Sequence, residues 1–172
     1  MKVILYMAIS ANGLIARENG NEDFLSHANW NKFCDLANTH KNFIVGRKTY
    51  EAVKNWKDGY SFDDLNVEKV VVSQDASYVL DVSYTLATSP QDALVKLAEK
   101  GFQETLLTGG SALNTAFAKA GLIDEIILNV EPIIIGRGIS LFSSDEFELP
   151  TELMDTSKSA AGIVTLHYKV KK

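Results

Sequence analysis

Leu106 to Phe142 reads LLTGGSALNTAFAKAGLIDEIILNVEPIIIGRGISLF. An apolar strand over Glu104 to Thr108 runs through Gly109-Gly110 straight into a helix over Ser111 to Ala120, and Gly121 stands where a C-terminal cap is expected. Ala112, Ala116, Ala118 and Ala120 keep that helix slim enough to pack closely on a sheet. Two residues without a Cβ let the backbone approach a ligand, and the free N–H groups at the helix start offer partial positive charge to an anion. The junction therefore suits a phosphate, although the same residues also describe an ordinary tight turn with Ser111 as N-cap. Ile123 to Ile135 follows as a long strand region.

Working outward, strands and helices alternate. Val3 to Ser10 is a continuous apolar run, as expected of a central strand covered on both faces, and Asn12-Gly13 breaks it. Ala16 to Ala28 is polar and aperiodic and reads as a long loop beside the strand end. Asn29 or Asn31 is placed to cap a helix through His40 whose inner face carries Trp30, Phe33, Cys34 and Ala37. Asn42 to Val45 is a short strand ended by Gly46, and Lys48 to Trp56 has a helical pattern with Tyr50, Val53 and Trp56 or Lys57 inward. Val67 to Ser73 and Val82 to Ala87 are strands, and Pro90 opens a helix through Lys100. Leu153 to Ser157 with Gly162 to Val170 forms a hairpin-like end. The pattern predicts a three-layer α/β fold over residues 1–172, with a mostly parallel central sheet, antiparallel C-terminal strands and flanking helices.

With 17 basic and 22 acidic residues the net charge is -5, so a polyanion such as nucleic acid is not expected as a partner. A small anionic ligand needs only two or three local cations and remains compatible. The apolar runs are too short for a membrane span, and Met1 to Ser10 reads as a buried strand rather than a leader. The single cysteine, Cys34, fits a reducing cytoplasm and sits on an apolar helix face, where a thiol is usually packed and inert. His27, His40 and His167 lack ligand spacing, so no metal site is expected. The phosphate-loop and Rossmann glycine patterns are both missing.

Ligands of open α/β sheets bind at the carboxyl ends of strands. Here those ends carry Ala8, Ser10, Asn12 and Gly13; Gly46-Arg47-Lys48-Thr49; Ser73-Gln74; and Gly109-Gly110-Ser111. The second repeats the pairing of glycine with a hydroxyl residue and adds two cations. One dinucleotide explains both junctions: its pyrophosphate lies between two helix starts, while Arg47 or Lys48 meets an extra phosphate. A solvated helix start is the plain alternative for Arg47-Lys48.

Gly46-Arg47-Lys48-Thr49-Tyr50-Glu51, Ser73 and Gly109-Gly110 resemble the cofactor-binding elements of the dihydrofolate reductase fold. Thr108 to Leu113, Ala120 to Glu125, Glu131 to Gly136 and Gly138 to Phe142, together with Ser10 to Ala16, are more specifically similar to the C-terminal reductase domain of the bifunctional riboflavin-biosynthesis deaminase/reductase. That family usually has aspartate where Asn12 stands. The resemblance covers essentially the whole chain. It implies a cytoplasmic, homodimeric reductase that uses NADPH and a small-molecule substrate. Ala8 and Ile15 are then near the nicotinamide, Gly46, Arg47, Lys48 and Thr49 near the 2′-phosphate and pyrophosphate, Ser73 and Gln74 near the adenosine, and Gly109, Gly110, Ser111, Ala112 and Leu113 around the pyrophosphate. It also admits a cis Gly109-Gly110 peptide.

Folate reductases carry a carboxylate on the helix before the Gly46-like strand, and that position here is Trp30. Asp35 lies about 140° away round the helix, whereas Glu22 and Asp23 could reach in from the loop. The expected activity is therefore a riboflavin-type reduction of a C=N or C=O group in a heterocyclic or sugar-derived substrate, of the 5-amino-6-(5-phosphoribosylamino)uracil reductase type. Ser10, Asn12 and Trp30 line its substrate end, with no catalytic residue assigned, and Arg17, Lys41 or Arg137 are candidates for a substrate phosphate. True dihydrofolate reductase and a non-catalytic NADPH-binding module are the alternatives.

Overall fold

In the computed structural model, which describes residues 1–56 and 59–172, the alternating pattern becomes one eight-stranded sheet with helices on both faces. The elements are β1 (Lys2–Ser10), β2 (Leu14–Arg17), α1 (His27–His40), β3 (Asn42–Gly46), α2 (Arg47–Lys54), β4 (Glu68–Val72), β5 (Tyr84–Ala87) and α3 (Pro90–Glu99). They continue with β6 (Glu104–Leu107), α4 (Ser111–Lys119), β7 (Glu125–Glu131), β8 (Gly138–Ser140), β9 (Thr151–Lys158) and β10 (Val164–Val170). The sheet order is β5-β4-β3-β6-β1-β7-β10-β9. Pairings from β5 through β7 are parallel, and β7–β10 and β10–β9 are antiparallel, as the sequence pattern predicts. Lys57, an alternative inner-face residue of the second helix, lies outside the described residues. Among the described residues, no helix is long and apolar enough to cross a membrane.

β1 shows why its residues are apolar on both sides. Val3 and Leu5 join Leu97, Leu113 and Phe117 of α3 and α4 on one face, whereas Ile4 and Tyr6 join Phe33, Ala37, Tyr50 and Val53 of α1 and α2 on the other. Alternate side chains of one strand thus feed two hydrophobic layers, which is the three-layer arrangement.

Four local readings change. The first helix begins at His27, with Ser26 rather than Asn29 or Asn31 at the N-cap position, because Asn29 is drawn into a buried polar network. The 16–28 loop is shorter than its composition suggests, since Ala16 and Arg17 pair with Ile139 and Gly138 in a separate β2–β8 ribbon. The Ile123–Ile135 region holds a strand only over Glu125–Glu131; Pro132 has no N–H to extend the ladder, and Ile133 N donates back to Glu131 O at 2.8 Å. Gly110, not Ser111, is the N-cap of α4.

Candidate active site

β3 and β6 are sheet neighbours, pairing Ile44 with Leu107, so the helices that follow them start side by side. Gly46 N donates to Gly109 O at 2.7 Å, joining the two junctions directly. Close side-chain neighbours and, at Gly109, a positive φ both favour glycine here. A Cβ on Gly110 would lie 2.9 Å from Thr49 Oγ1, and one on Gly109, whose φ is +84°, would lie 2.9 Å from Met7 Sδ. The Gly109-Gly110 peptide is cis. The N-caps of α2 and α4 are Gly46 and Gly110, and neither helix start receives a side-chain capping bond. Their first-turn N–H groups are thus left to an external acceptor.

Beside this rim, the Arg47 guanidinium lies 5.3 Å from the Tyr78 ring centroid and 3.9 Å from Glu51, whose carboxylate also accepts from Tyr78 OH at 2.9 Å. Arg47 is half-buried and Lys48 exposed. Ser73, just past β4, is buried and accepts from Asp75 N at 3.1 Å, whereas Gln74 is exposed.

A cavity of about 430 Å³ opens against the rim. Its walls come from Tyr6, Met7 and Ala8 of β1, Ile15 of β2, Asn29, Trp30 and Phe33 of α1, Thr49 and Val53 of α2, and Thr108 and Gly110. The 21–26 loop closes one side and Trp56, Tyr60 and Phe62 another. Trp30 is the hub of the aromatic wall. Its ring stacks on Phe62 at 5.9 Å and 23°, and meets Tyr60 at 5.2 Å and Trp56 edge-on at 5.9 Å.

Two carboxyl groups reach the cavity from the loop. Asp23 is engaged by Arg17 at 2.5 Å. The Glu22 carboxyl has no hydrogen-bond partner among the described residues, and loss of water pushes it up to about 7. A group with that affinity can hold or release a proton near neutral pH. Cys34 packs against the aromatic layer, and burial pushes its thiol up, away from nucleophilic use.

Behind the cavity lies a network that sequence reading did not find. The buried Glu131 carboxylate accepts from Ser26 N at 2.7 Å and from Asn29 Nδ2. Asn129 donates to Asn29 Oδ1 at 2.8 Å and to Tyr6 OH at 3.0 Å, and Tyr6 OH donates to the Asn29 carbonyl at 3.1 Å. The network fixes α1, and with it Trp30, against β1 and β7. Its one sequence signal was an amide and a carboxylate two apart, Asn129 and Glu131, in an otherwise apolar strand.

Of the residues singled out in the sequence, Ala8, Ile15, Trp30, Thr49 and Gly110 line the cavity. Gly46, Arg47, Lys48, Gly109, Ser111, Ala112 and Leu113 form or continue the adjoining helix starts. Ser73 and Gln74 lie at the end of β4, one strand further along the sheet. Ser10 and Asn12 lie outside the cavity lining. Ser10 Oγ accepts from Leu14 N at 3.0 Å and donates to Asn12 Oδ1 at 2.9 Å, while Asn12 exchanges bonds with Ile135 O at 2.7 Å and Ile135 N at 3.1 Å. They hold the turn after β1 to the segment after β7.

Residues 1–165 match the family described as the RibD C-terminal domain. The uncharacterized protein YwjB of Bacillus subtilis (strain 168) is 31% identical over 170 residues, covering 97% of each chain. Among solved structures, the diaminohydroxyphosphoribosylaminopyrimidine deaminase/5-amino-6-(5-phosphoribosylamino)uracil reductase of Thermotoga maritima superposes with a TM-score of 0.75 at 18% identity, over 99% of this chain and 56% of that one. Dihydrofolate reductase from Enterococcus faecalis, complexed with NADP(H), superposes with a TM-score of 0.72 at 16% identity, over 99% of this chain and 97% of that one. The fold is thus dihydrofolate reductase-like.

Proposed function

The chain belongs to the RibD C-terminal domain family, a riboflavin-biosynthesis-type reductase family, and from that premise we propose that it is an NADPH-dependent reductase of a C=N or C=O group in a small heterocyclic or sugar-derived substrate. The reaction is of the 5-amino-6-(5-phosphoribosylamino)uracil reductase type. The observation that carries the reading is the meeting of two helix starts without side-chain caps at Gly46 and Gly109, beside Arg47 and opening on the cavity.

The residues fit a dinucleotide because the cradle is made of positions that a Cβ would fill: a methyl on Gly110 would meet Thr49 Oγ1 at 2.9 Å. Thr49, Gly110 and the first-turn N–H groups of α2 and α4 hold the pyrophosphate, with Gly46, Gly109, Ser111, Ala112 and Leu113 shaping that surface. Arg47, with Lys48 beside it, grips the 2′-phosphate through charge-assisted bonds, and Ser73 and Gln74 border the adenosine. Ala8 and Ile15 are both buried and form a dry wall for the nicotinamide. The bound cofactor supplies a hydride. Trp30 orients the substrate ring against that wall, and the network through Asn29 and Glu131 keeps Trp30 in place.

Trp30 and Trp56 line the cavity, so their fluorescence reports binding. NADPH is expected to bind at least about tenfold more tightly than NADH through the Arg47 contact. Equal affinities overturn the 2′-phosphate assignment. Oxidation of NADPH with the ribosylamino-pyrimidine phosphate or its dephosphorylated form supports the reductase reading. Turnover of dihydrofolate instead favours true dihydrofolate reductase, and tight binding with no turnover of any imine or carbonyl favours a binding module.

We also propose a homodimer. β9 is exposed along its whole length at the sheet edge, with Leu153 and Met154 half-exposed. Light scattering giving a monomer mass overturns this.

A further inference from the structure

Resting on the reading of this cavity as the substrate end of a reductase, we infer that Lys69 is a positioning residue: its buried ammonium group, together with the Tyr84 hydroxyl, clamps the turn that carries Phe62 and so sets the aromatic wall that Phe62 forms with Trp30. Lys69 lies in β4 next to Val70, on the face that Val71 turns to the α1–α2 layer, and it is 4% exposed. A lysine there is costly, because its ammonium gives up water, and polar partners must offset that cost. The structure provides them. Lys69 Nζ donates to Leu65 O at 2.9 Å and to Phe62 O at 3.4 Å, and it lies 5.1 Å from the Tyr84 ring centroid.

Both carbonyls belong to one short element. Phe62–Asp64 is a single turn of 3₁₀ helix between α2 and β4, and Leu65 is its C-cap. The ammonium thus sits at the carbonyl end of the turn, where a cation is favoured. From the other side Tyr84 OH donates to Asp63 Oδ1 at 2.6 Å, and at the start of the turn Ser61 Oγ accepts from Asp63 N at 3.1 Å. The turn carries Phe62, whose ring stacks on Trp30 and meets Phe33 at 5.5 Å and Phe43 at 5.0 Å. An apolar residue at position 69 would fill the same space, but it would leave both carbonyls of this segment, which lies outside the sheet ladder, without their donor. Lys69 therefore does for Phe62 what the Glu131 network does for Trp30: it fixes one ring of the wall from behind.

The test places each substitution in the full chain carrying Trp56→Phe, where Trp30 is the remaining tryptophan. It reads the emission maximum, near-ultraviolet circular dichroism and acrylamide quenching of Trp30, with a cooperative thermal melt as the check of folding and the cofactor's own fluorescence as the measure of NADPH affinity. Lys69→Met keeps the reach of the side chain and removes its donors. It is expected to shift Trp30 emission to the red, weaken its dichroism and raise its quenching, while NADPH affinity stays at the parent value. Lys69→Arg, which restores donors, is expected to bring the Trp30 signals back toward the parent. Tyr84→Phe, at the outer side of the clamp, is expected to shift them in the same direction by less, and it decides the matter if Lys69→Met fails to fold. Parent-like Trp30 signals in a folded Lys69→Met, or in Tyr84→Phe where Lys69→Met is unfolded, overturn the inference, and a fall in Tm without spectral change assigns Lys69 to stability alone. A matching loss of NADPH affinity overturns it too, since the effect would then not be confined to the substrate wall. Failure of the parent to bind NADPH is a different outcome: it overturns the reductase reading, and the Trp30 signals still decide the role of Lys69.

Discussion

The junctions that lead into α2 and α4 contrast with the one that leads into α3. All three follow a parallel strand at its carboxyl end, and all three start a helix that packs on the sheet. At α3 the start is closed: Ser89 Oγ accepts from Asp92 N at 3.1 Å, Asp92 reaches back to Thr88 N at 2.8 Å, and Pro90 removes one donor. At α2 and α4 glycine occupies the cap position and offers nothing. α3 closes its own end, and α1, whose Ser26 also makes no side-chain capping bond, has its start held by the Glu131 carboxylate instead. Two adjacent helices left open, at positions where Gly46 and Gly110 crowd each other's junctions, are what the proposed pyrophosphate site would use.

The contrast can be broken most directly by filling the cradle. Gly110→Ala pushes a methyl against Thr49 Oγ1, and an overpacking penalty of about 1–3 kcal/mol placed at the docking surface is expected to weaken NADPH by roughly tenfold to a hundredfold in a fluorescence titration. Unchanged affinity would mean that the open ends are not the cofactor site. Arg47→Ala sharpens the assignment, because loss of a charge-assisted contact worth about 1.5–3 kcal/mol should weaken NADPH by about tenfold or more while sparing NADH. A parallel loss for both nucleotides would place Arg47 on a shared phosphate instead.

The closed junction gives the opposite expectation. Ser89→Ala should cost about 1 kcal/mol, a fall in Tm of about 3 °C, with NADPH affinity unmoved; calorimetry and the same titration read the two quantities. The smallest effect is one of pH. The salt link from Lys96 and the bond from Thr88 N hold the Asp92 carboxyl below its ordinary 3.8. A depressed folded value means that its contribution is present above pH 3.8 and lost as pH falls through the lower, folded value. The Tm gap between the parent and Asp92→Asn should therefore close on going from pH 6 towards pH 2. A gap that stays constant would show that the carboxylate charge contributes nothing at this helix start.

The open junctions were legible because each is written in consecutive residues: Gly46-Arg47-Lys48-Thr49 and Gly109-Gly110-Ser111 carry their backbone freedom, charge and helix start together. The strand and helix order was legible for the same reason. The substrate end was not, because it is assembled across the chain. Asn29 and Glu131, 102 positions apart, mean little separately and become a buried pair only when α1 docks on β7. Glu22 could be named from the sequence as a carboxyl able to reach in from the loop, but the burial that raises its proton affinity comes only with folding. Ser10 and Asn12 show a different ambiguity, since polar side chains at a strand end can serve a ligand or a turn, and in the structure they bind Leu14 and Ile135. The β2–β8 ribbon, with a three-residue partner and an irregular register, is too short for periodicity to reveal.

That ribbon has a bearing on which mutations the protein can tolerate. A Cβ at Gly138 would collide with the Ala16 carbonyl oxygen and crowd Leu14. β2 carries Ile15 in the cavity wall and leads into the Glu22 loop. Just beyond β8, Leu141 N donates to Gly13 O and its carbonyl accepts from Asn114, while Ser143 N donates to Thr115 Oγ1 in α4. One methyl group at position 138 would therefore disturb both ends of the candidate site, though Gly138 lies outside the cavity lining. Gly138 is a single point of failure, and a survey of random variants should find it as intolerant as the glycines of the cradle.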